Sequence, residues 1–589
     1  MARINIPKSI PPIKIDRFLG QNDSPDGEVG MQLGEAVKCV NWRVTQNYKL
    51  KKVEGYKSIF TSLVGNVRGM WYGRLNGVDM FLFCNNGHLW KGNLVDGTKV
   101  DIGTLTDAPT RFIPFGNKVY LNNGTEYKSY DGTTFQVVAG HRPLVGIGGS
   151  PSGVNNVSFE GINLLNGSKH ITRRSDGTAT KYILPEQNLT SIDFVKYLGA
   201  PLALGTDYTQ DLVTGDVTMV VVKPTCGVDD DIDIGWTKGT GERAFIENCR
   251  FSMDYSGQTD SRVFLWGNVN HKNTRYWSEL ANGVPSAEYF TATSQDNVGN
   301  GQYAITDIVK QYDRQKIFLE NGAHYSYYEF TNGIVNFPAP ELNDSVGNSA
   351  FGQCQIIKNS AVTMYKGIYQ WDASTVRDQT NNDIISARVQ DSLNNVDLSK
   401  AITFNRQKQG ELWINIDSVV WVYNYFNNTW YLFDDITATC FIEVNDVLYF
   451  GANGMINKFD KTLVTHNGVA YITRWEMGFN AFGEEWLTKF MNNEYIGLYP
   501  ELRSRVDVSI ITDNEGLIET QSIYYNLATY EHVDYAHWSY NTSYNPQPKK
   551  IDIQANRFVY IKIVLENSSD RETATILSIT LPARLGGRI

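Results

Sequence analysis

The sequence predicts an all-β protein: a β-propeller of about seven blades, an inserted β-sandwich domain and a C-terminal β-sandwich domain. Composition is the first ground for this. The chain carries 33 Tyr, 13 Trp and 51 Gly against 10 Met, and aromatic residues favour a pleated, half-buried surface. The second ground is a hairpin pattern that occurs seven times. The third is its spacing, which matches blades except in one place.

Each hairpin has two or three apolar or aromatic residues, a short polar turn, then aromatics ending near Asp, Asn or Glu. The first is MFLFCNNGHLWKGN from Met80, followed by KVYLNNGTEYKSYDG from Lys118 and RVFLWGNVNHKNTRYWSEL from Arg262. KIFLENGAHYSYYEF starts at Lys316, AVTMYKGIYQWDA at Ala361, ELWINIDSVVWVYNYFNNTW at Glu411 and VLYFGANGMINKFD at Val447. Their turns carry Gly, Asn or Asp, for which positive φ costs little. Four-stranded blades recur every 40–50 residues or so. The interval from Lys118 to Arg262 is about 100 residues too long on that scale and marks an insertion. A generic antiparallel sandwich with hairpins is the competing arrangement, and six or eight blades stay open.

Five segments follow. Residues 1–64 are rich in turn formers and are expected to form an arm that wraps the propeller or a neighbouring subunit. Within them GYKSIF, from Gly55, is a candidate for the strand that closes the ring, because an open last blade leaves a pairing edge. Residues 65–140 and 245–462 hold the two parts of the propeller. Residues 141–244 open on the loop GIGGSPSGVNN and continue as short strands with turn signals at Asp176-Gly177 and Thr214-Gly215. Residues 463–589 alternate in strands such as RVDVSIIT, FVYIKIVLEN and ATILSITLPA, which predicts a sandwich or jelly-roll-like domain with one buried face. Helix is scarce; FGEEWLTKFMNNEY is the best candidate.

The formal charge of −10 is the wrong sign for gripping nucleic acid, where Lys and Arg on phosphates supply most of the affinity. An acidic surface that DNA slides past remains compatible. The cysteines Cys39, Cys84, Cys226, Cys249, Cys354 and Cys440 are scattered, with no CxxC, and read as reduced core thiols of a protein folded in a cytoplasm. No run of 18 apolar residues suggests a membrane span, and MARINIPKSIPPIKIDRF lacks a signal-peptide core.

Catalytic motifs are missing: there is no HExxH, GxSxG or P-loop. His532 and His537 are five apart, which suits neither a helix face nor a strand face. The acidic run Asp229, Asp230, Asp231 and Asp233 offers hard oxygens for calcium but lacks EF-hand spacing; a solvated turn fits it better. The adjacent pairs Glu484/Glu485 and Asp434/Asp435 offer paired carboxylates for glycosidase chemistry, but adjacent side chains usually diverge. No catalytic, cofactor-binding or metal residue is therefore assigned, and no cofactor is expected. The abundant aromatics are assigned to blade packing rather than carbohydrate stacking.

One family resemblance rests on specific segments. IDRFLGQNDSPDGEVGMQLGEAVKCVNWRVTQNYKLKKVEGY, from Ile15, resembles a recurrent opening of phage tail structural proteins. The matching positions are Asn41, Trp42, Arg43 and Val44, then Lys51, Lys52, Gly55 and Tyr56. VFLWGNVNHKNTRYWSEL from Val263, INLLNGSKHITRRSDGTATKYILP from Ile162, and WEMGFNAFGEEWLTKF with RVDVSIITDNEG are similar to the propeller, inserted and C-terminal parts of the same proteins. The family is the packaged-DNA stabilisation, or tail hub and nozzle, proteins of short-tailed bacteriophages. The resemblance covers most of the chain as diffuse patterns, and transfers least to the variable inserted domain.

It implies a virion structural protein without catalytic activity, in a homo-oligomeric ring, commonly a hexamer, below the portal and adaptor proteins. The ring would extend the DNA channel, help retain packaged DNA and carry tail fibre, spike or plug proteins. Packaged DNA would pass without sequence-specific contact, along a wall expected to be acidic or neutral. The competing functions are a tail-tip receptor-binding (glycan-binding) protein and a glycan-degrading propeller enzyme. The enzyme reading requires carboxylates converging in a central pocket.

Overall fold

The computed structural model describes residues 11–23, 31–227, 230–257, 260–331, 333–375, 381–528 and 541–588. The fold is all-β. Its α-helices among the described residues are single turns, Ala244–Glu247 and Gln390–Leu393. Among the described residues no helix is long and apolar enough to cross a membrane.

Each of the seven predicted hairpins forms the two middle strands of a four-stranded antiparallel unit, and the units succeed one another in a propeller-like series. The first runs Val67–Leu75, Val78–Asn85, His88–Gly92, Lys99–Thr104. The second spans Arg111–Phe115 to Phe135–Val137. The remaining five begin at Phe251–Ser256, Ile305–Gln311, Gln355–Ile357, Ile402–Arg406 and Cys440–Val444. In the seventh unit the fourth strand comes from far upstream: Gly55–Phe60 pairs antiparallel with Met455–Asp460, with Tyr56 opposite Phe459. This strand is the GYKSIF segment.

The middle strands read as nearly unbroken apolar runs because both of their faces are covered. Every residue of Glu411–Ile416 is buried. Alternation sends Leu412, Ile414 and Ile416 into one core cluster and Trp413 into another. The first unit does the same, with Met80, Leu82 and Cys84 on one side and Phe81 and Phe83 on the other. Aromatics fill these seams: Phe337 meets Phe264 edge-on at 4.9 Å and Trp277 at 5.5 Å.

Between the second and third units lie a sheet centred on Ser168–Arg173, Ile232–Thr237 and Ser191–Tyr197 and a three-stranded sheet of Lys181–Ile183, Asp216–Met219 and Tyr208–Asp211. Ile171, Tyr182, Val217 and Trp236 share a core cluster drawn from these strands. Both predicted turns carry glycine at φ +77°, Gly177 and Gly215. A Cβ on Gly215 would lie 2.1 Å from the Glu186 carbonyl oxygen, so that turn needs glycine twice over.

Two expectations are corrected. The described N-terminal residues before Gly55 do not form an arm. Ile13–Ile15 and Leu50–Lys52 pair with Thr575–Leu581, and Glu35–Val40 pairs with Thr473–Met477. Phe18, Cys39, Trp42, Val44 and Leu50 are fully buried in one cluster with C-terminal residues such as Val506, Ile563 and Ile579. Apolar burial at these sheet edges outweighs the turn-forming composition. The predicted helix FGEEWLTKFMNNEY is instead a turn followed by strands Leu487–Met491 and Glu494–Leu498. Leu487–Met491 is held by Ala583–Arg588; a helix that short is marginal on its own and loses to the ladder.

The sixth unit continues directly into the C-terminal sheet, since Val40 lies beside Leu432. A charged cluster sits at this joint. Arg43 is ion-paired to Glu54 and, at 2.7 Å, to Glu411. Glu411 also accepts from Trp413 Nε1 at 2.9 Å and Tyr431 Oη at 2.8 Å. Asn41, at φ 56°, donates to Asp434 and to the Ile472 carbonyl. Lys52 donates to Asn567 Oδ1 at 3.0 Å and the Ser569 carbonyl at 2.9 Å. A Cβ on Gly55 would meet the Thr465 carbonyl oxygen at 2.2 Å. At the same joint His466 is stacked between Tyr56 and Tyr471, with centroids at 4.3 and 4.0 Å. Neither of its ring nitrogens has a hydrogen-bond partner among the described residues. Burial, with the Lys52 charge adding, lowers its pKa to about 4.

Glu411→Gln should destabilise the protein by about 3 kcal/mol in urea titration, because Arg43 loses a buried counter-charge. An unchanged midpoint would contradict the joint as described. His466 gives a pH signature. Its folded pKa lies below the unfolded value of about 6.5, so the unfolded state takes up a proton first as pH falls. Stability is complete above about pH 6.5 and drops by up to about 3 kcal/mol towards pH 4. In His466→Phe this part of the pH dependence of urea unfolding should flatten.

Candidate axial ligand site

The first strands of the seven units lie side by side in chain order: Val67–Leu75 next to Arg111–Phe115, that strand next to Phe251–Ser256, and onward through Ile305–Gln311, Gln355–Ile357, Ile402–Arg406 and Cys440–Val444, which returns to Val67–Leu75. They surround two cavities, of about 710 Å3 and 490 Å3. Arg111 and Phe251 line both and separate them. Arg111 donates to the Gly352 carbonyl and lies over the Phe251 ring at 5.7 Å. Glycine is needed at 352, because a Cβ there would meet both Arg111 and Phe251 at 2.5 Å.

The smaller cavity has a mixed lining that includes Asp254, Asp307 and Lys310. Asp307 is buried and accepts from the backbone N–H groups of Ile308 at 2.9 Å and Cys354 at 2.6 Å. Burial raises its pKa to about 6, against the opposing pull of Arg111 and these hydrogen bonds. The carboxylate thus ties the fourth unit to the fifth. Burial also pushes the thiols lining the cavities upward, Cys440 to about 12 and Cys354 well above its usual range. They are held as thiols, and the thiolate is the nucleophilic form.

The larger cavity is cationic. Arg68, Arg111, Arg250 and Lys400 line it, and no carboxylate does among the described residues. Arg68 is held by Asp107 through two contacts of 3.0 Å. Arg111, Arg250 and Lys400 have no ion-pair partner within 4.0 Å among the described residues. Arg250 and Lys400 are exposed. Trp71, half-buried, and Phe351, 40% exposed, supply aromatic surface.

The carboxylates singled out in the sequence lie elsewhere. Asp434 is clamped by Asn41, Asp435 is exposed, and Glu484 and Glu485 sit in the turn before Leu487–Met491. The acidic run disperses: Asp230 receives Arg174 Nε at 2.8 Å and Gly148 N–H at 2.6 Å, Asp231 receives Ser175 N–H at 3.0 Å, and Asp233 contacts His170 at 2.9 Å. Asp229, His532 and His537 lie outside the described residues. No group of three or more potential metal ligands occurs among the described residues. None of the six cysteines is in a disulfide, and Cys39, Cys84, Cys249 and Cys354 are buried.

Sequence reasoning missed the axial cations. A signal exists in hindsight: Arg111 opens its inner strand, Arg250 precedes Phe251, Arg68 follows Val67 and Lys400 lies two before Ile402. It becomes visible only when the first strand of each unit is known.

No protein-family model matches the chain, and no curated protein matches it. Solved structures overlay on about two thirds of it at low similarity. The computationally designed Ika8 protein covers 68% of this chain and 99% of its own, at 9% identity and TM-score 0.31. The AfRom2 CNH domain covers 69% and 99%, at 6% identity and TM-score 0.35. The WD40 domain of SCAP from fission yeast covers 69% and 98%, at 8% identity and TM-score 0.29. Similarities this weak carry no argument about what the chain does.

Asp307→Ala should cost at least about 2 kcal/mol in denaturant unfolding, since two buried N–H groups lose their acceptor. A cost under about 0.5 kcal/mol would show that the tie between the fourth and fifth units is dispensable.

Proposed function

We propose that this chain is a structural subunit of a bacteriophage tail, a hub or nozzle protein that forms a ring, commonly a hexamer, around the path of packaged DNA. The observation that carries this reading is the joint. Asn41, Arg43, Lys52, Gly55 and Tyr56, which carry the resemblance to tail hub proteins, are the residues that fasten the propeller-like series to the C-terminal sheets. A segment used this way suits a wall that must stay rigid beside pressurised DNA.

In this reading the seven units form a closed seven-bladed propeller. Residues 141–244 form an inserted sandwich, and the C-terminal strands form a second one completed by the N-terminus. Support for closure comes from the order of neighbouring inner strands and from the upstream fourth strand of the seventh unit. Arg111 and Phe251 obstruct the propeller axis, so the DNA path would run between subunits rather than through one.

Ring formation needs surface to bury. The inserted segment presents exposed Leu198, Leu204, Val220 and Val221 on adjoining loops, where Val220 N–H donates to the Asp207 carbonyl and Lys223 lies over Tyr197. Closed rings use head-to-tail contacts, and this apolar patch suits one side of such a contact. The charge of −10 favours passage of DNA over capture. Portal and adaptor proteins above, and fibre, spike or plug proteins below, are the partners this position requires.

Imaging of the intact particle should place the chain in a multi-subunit ring below the portal, with the apolar patch at subunit contacts. Finding it as isolated copies at fibre tips would replace this reading with the receptor-binding one. Its absence from the particle would end both.

A further inference from the structure

The larger axial cavity has features that a purely structural core does not need. Three cations without ion-pair partners among the described residues, Arg111, Arg250 and Lys400, converge on it, in a chain whose net charge is −10. Asp307 offsets Arg111 from the inner side and Asp397 lies within electrostatic reach of Lys400, but no carboxylate among the described residues lines the mouth itself, where an anion relieves the repulsion between the cations. The volume of about 710 Å3 lies in the range that takes small ligands and is far too narrow for a duplex, whose major groove alone is about 12 Å wide.

The rest of the lining points to hydroxylated ligands. Trp71 and Phe351 offer apolar ring surface, and the exposed hydroxyls of Thr125 and Ser399 border the same space. Thr125 Oγ1 donates to Asn123 Oδ1 at 2.8 Å and Ser399 Oγ to Asp397 Oδ1 at 2.6 Å, which leaves both oxygens to accept from the hydroxyls of a ligand. Cys354 and the Asp307 carboxylate belong to the inner cavity, Cys440 lines the mouth as a thiol, and the Asp397 carboxylate lies beside the rim, accepting from Ser399 Oγ at 2.6 Å, without lining the cavity.

We propose that this axial mouth binds a small polyhydroxylated anion, a sugar acid or a sugar phosphate. Arg250 and Lys400 hold its charge at the rim, Arg111 completes the floor, and the sugar ring packs on Trp71 and Phe351. The site is independent of ring assembly and stands whether or not the tail-hub reading holds.

Titration of the full chain by calorimetry, with ligand-observed NMR, tests this with four probes: glucuronate, glucose 6-phosphate, glucose and inorganic phosphate. At least one sugar anion should bind about tenfold or more tightly than both glucose and inorganic phosphate, a gap expected when charge and ring contacts act together. Which sugar anion wins distinguishes carboxylate from phosphate recognition. The double variant Arg250→Gln/Lys400→Gln should weaken that binding about tenfold or more with the thermal midpoint unchanged, since both residues are exposed. Phe351→Ala should weaken the sugar anion while leaving inorganic phosphate unaffected. The proposal is overturned if glucose binds as well as its anions, if inorganic phosphate binds as well as both, if no probe binds, or if both variants bind as wild type does.

Discussion

The buried pairing of Arg43 with Glu411 is the constraint on which the architecture turns. Glu411 opens a middle strand of the sixth four-stranded unit, and Arg43 lies on a strand that joins the C-terminal sheets. Neither charge survives burial alone at tolerable cost. Glu54, Trp413 and Tyr431 complete the coordination, so the position of the N-terminal strand is fixed to the geometry of a unit more than 350 residues away. Once that strand is placed, Gly55–Phe60 enters the seventh unit with its register set, and Thr465 closes over Gly55. The propeller-like series and the C-terminal strands, already joined in one sheet beside Leu432, are thereby tied a second time.

The same economy shapes the larger cavity. Residues at or near the starts of several first strands line it, and four of those neighbourhoods contribute a cation. The obstruction by Arg111, Phe251 and Gly352 divides the space into a basic mouth and a mixed inner chamber. An all-β scaffold of this kind tolerates variation at strand starts because the packing lies in the middle strands. The mouth is therefore where chemistry can differ without disturbing the core.

How much of this was legible in the sequence follows from where the packing lies. Middle strands such as Glu411–Ile416 and Met80–Cys84 are buried on both faces, so they stand out as apolar runs around turns. All seven hairpins could be read for that reason, as could the Asp176-Gly177 and Thr214-Gly215 turns and the GYKSIF strand. First and fourth strands, for example Arg111–Phe115 with one buried residue and Phe135–Val137 with none, give no comparable signal. The N-terminal strands were misread because Ile13–Ile15 and Leu50–Lys52 find their partners near residue 580, and no local pattern reports a partner that distant. The helix expected at FGEEWLTKFMNNEY failed likewise: its real partner, Ala583–Arg588, lies at the far end of the chain. The basic mouth escaped notice because its cations come from separate segments and never form a charge run.

The upstream origin of Gly55–Phe60 bears on how the protein is made. A ribosome delivers this strand early, yet Met455–Asp460, Thr473–Met477 and Thr575–Leu581 emerge hundreds of residues later. Until then the apolar strands from Phe18 to Phe60 lack their native neighbours, and contacts of such long range form slowly. The nascent chain must carry an unsatisfied sticky end through most of its synthesis, a period in which exposed strand edges invite aggregation. Late strands such as Thr575–Leu581 thus capture strands made hundreds of residues earlier. A translation product interrupted before Thr575–Leu581 lacks the surface that makes this capture possible.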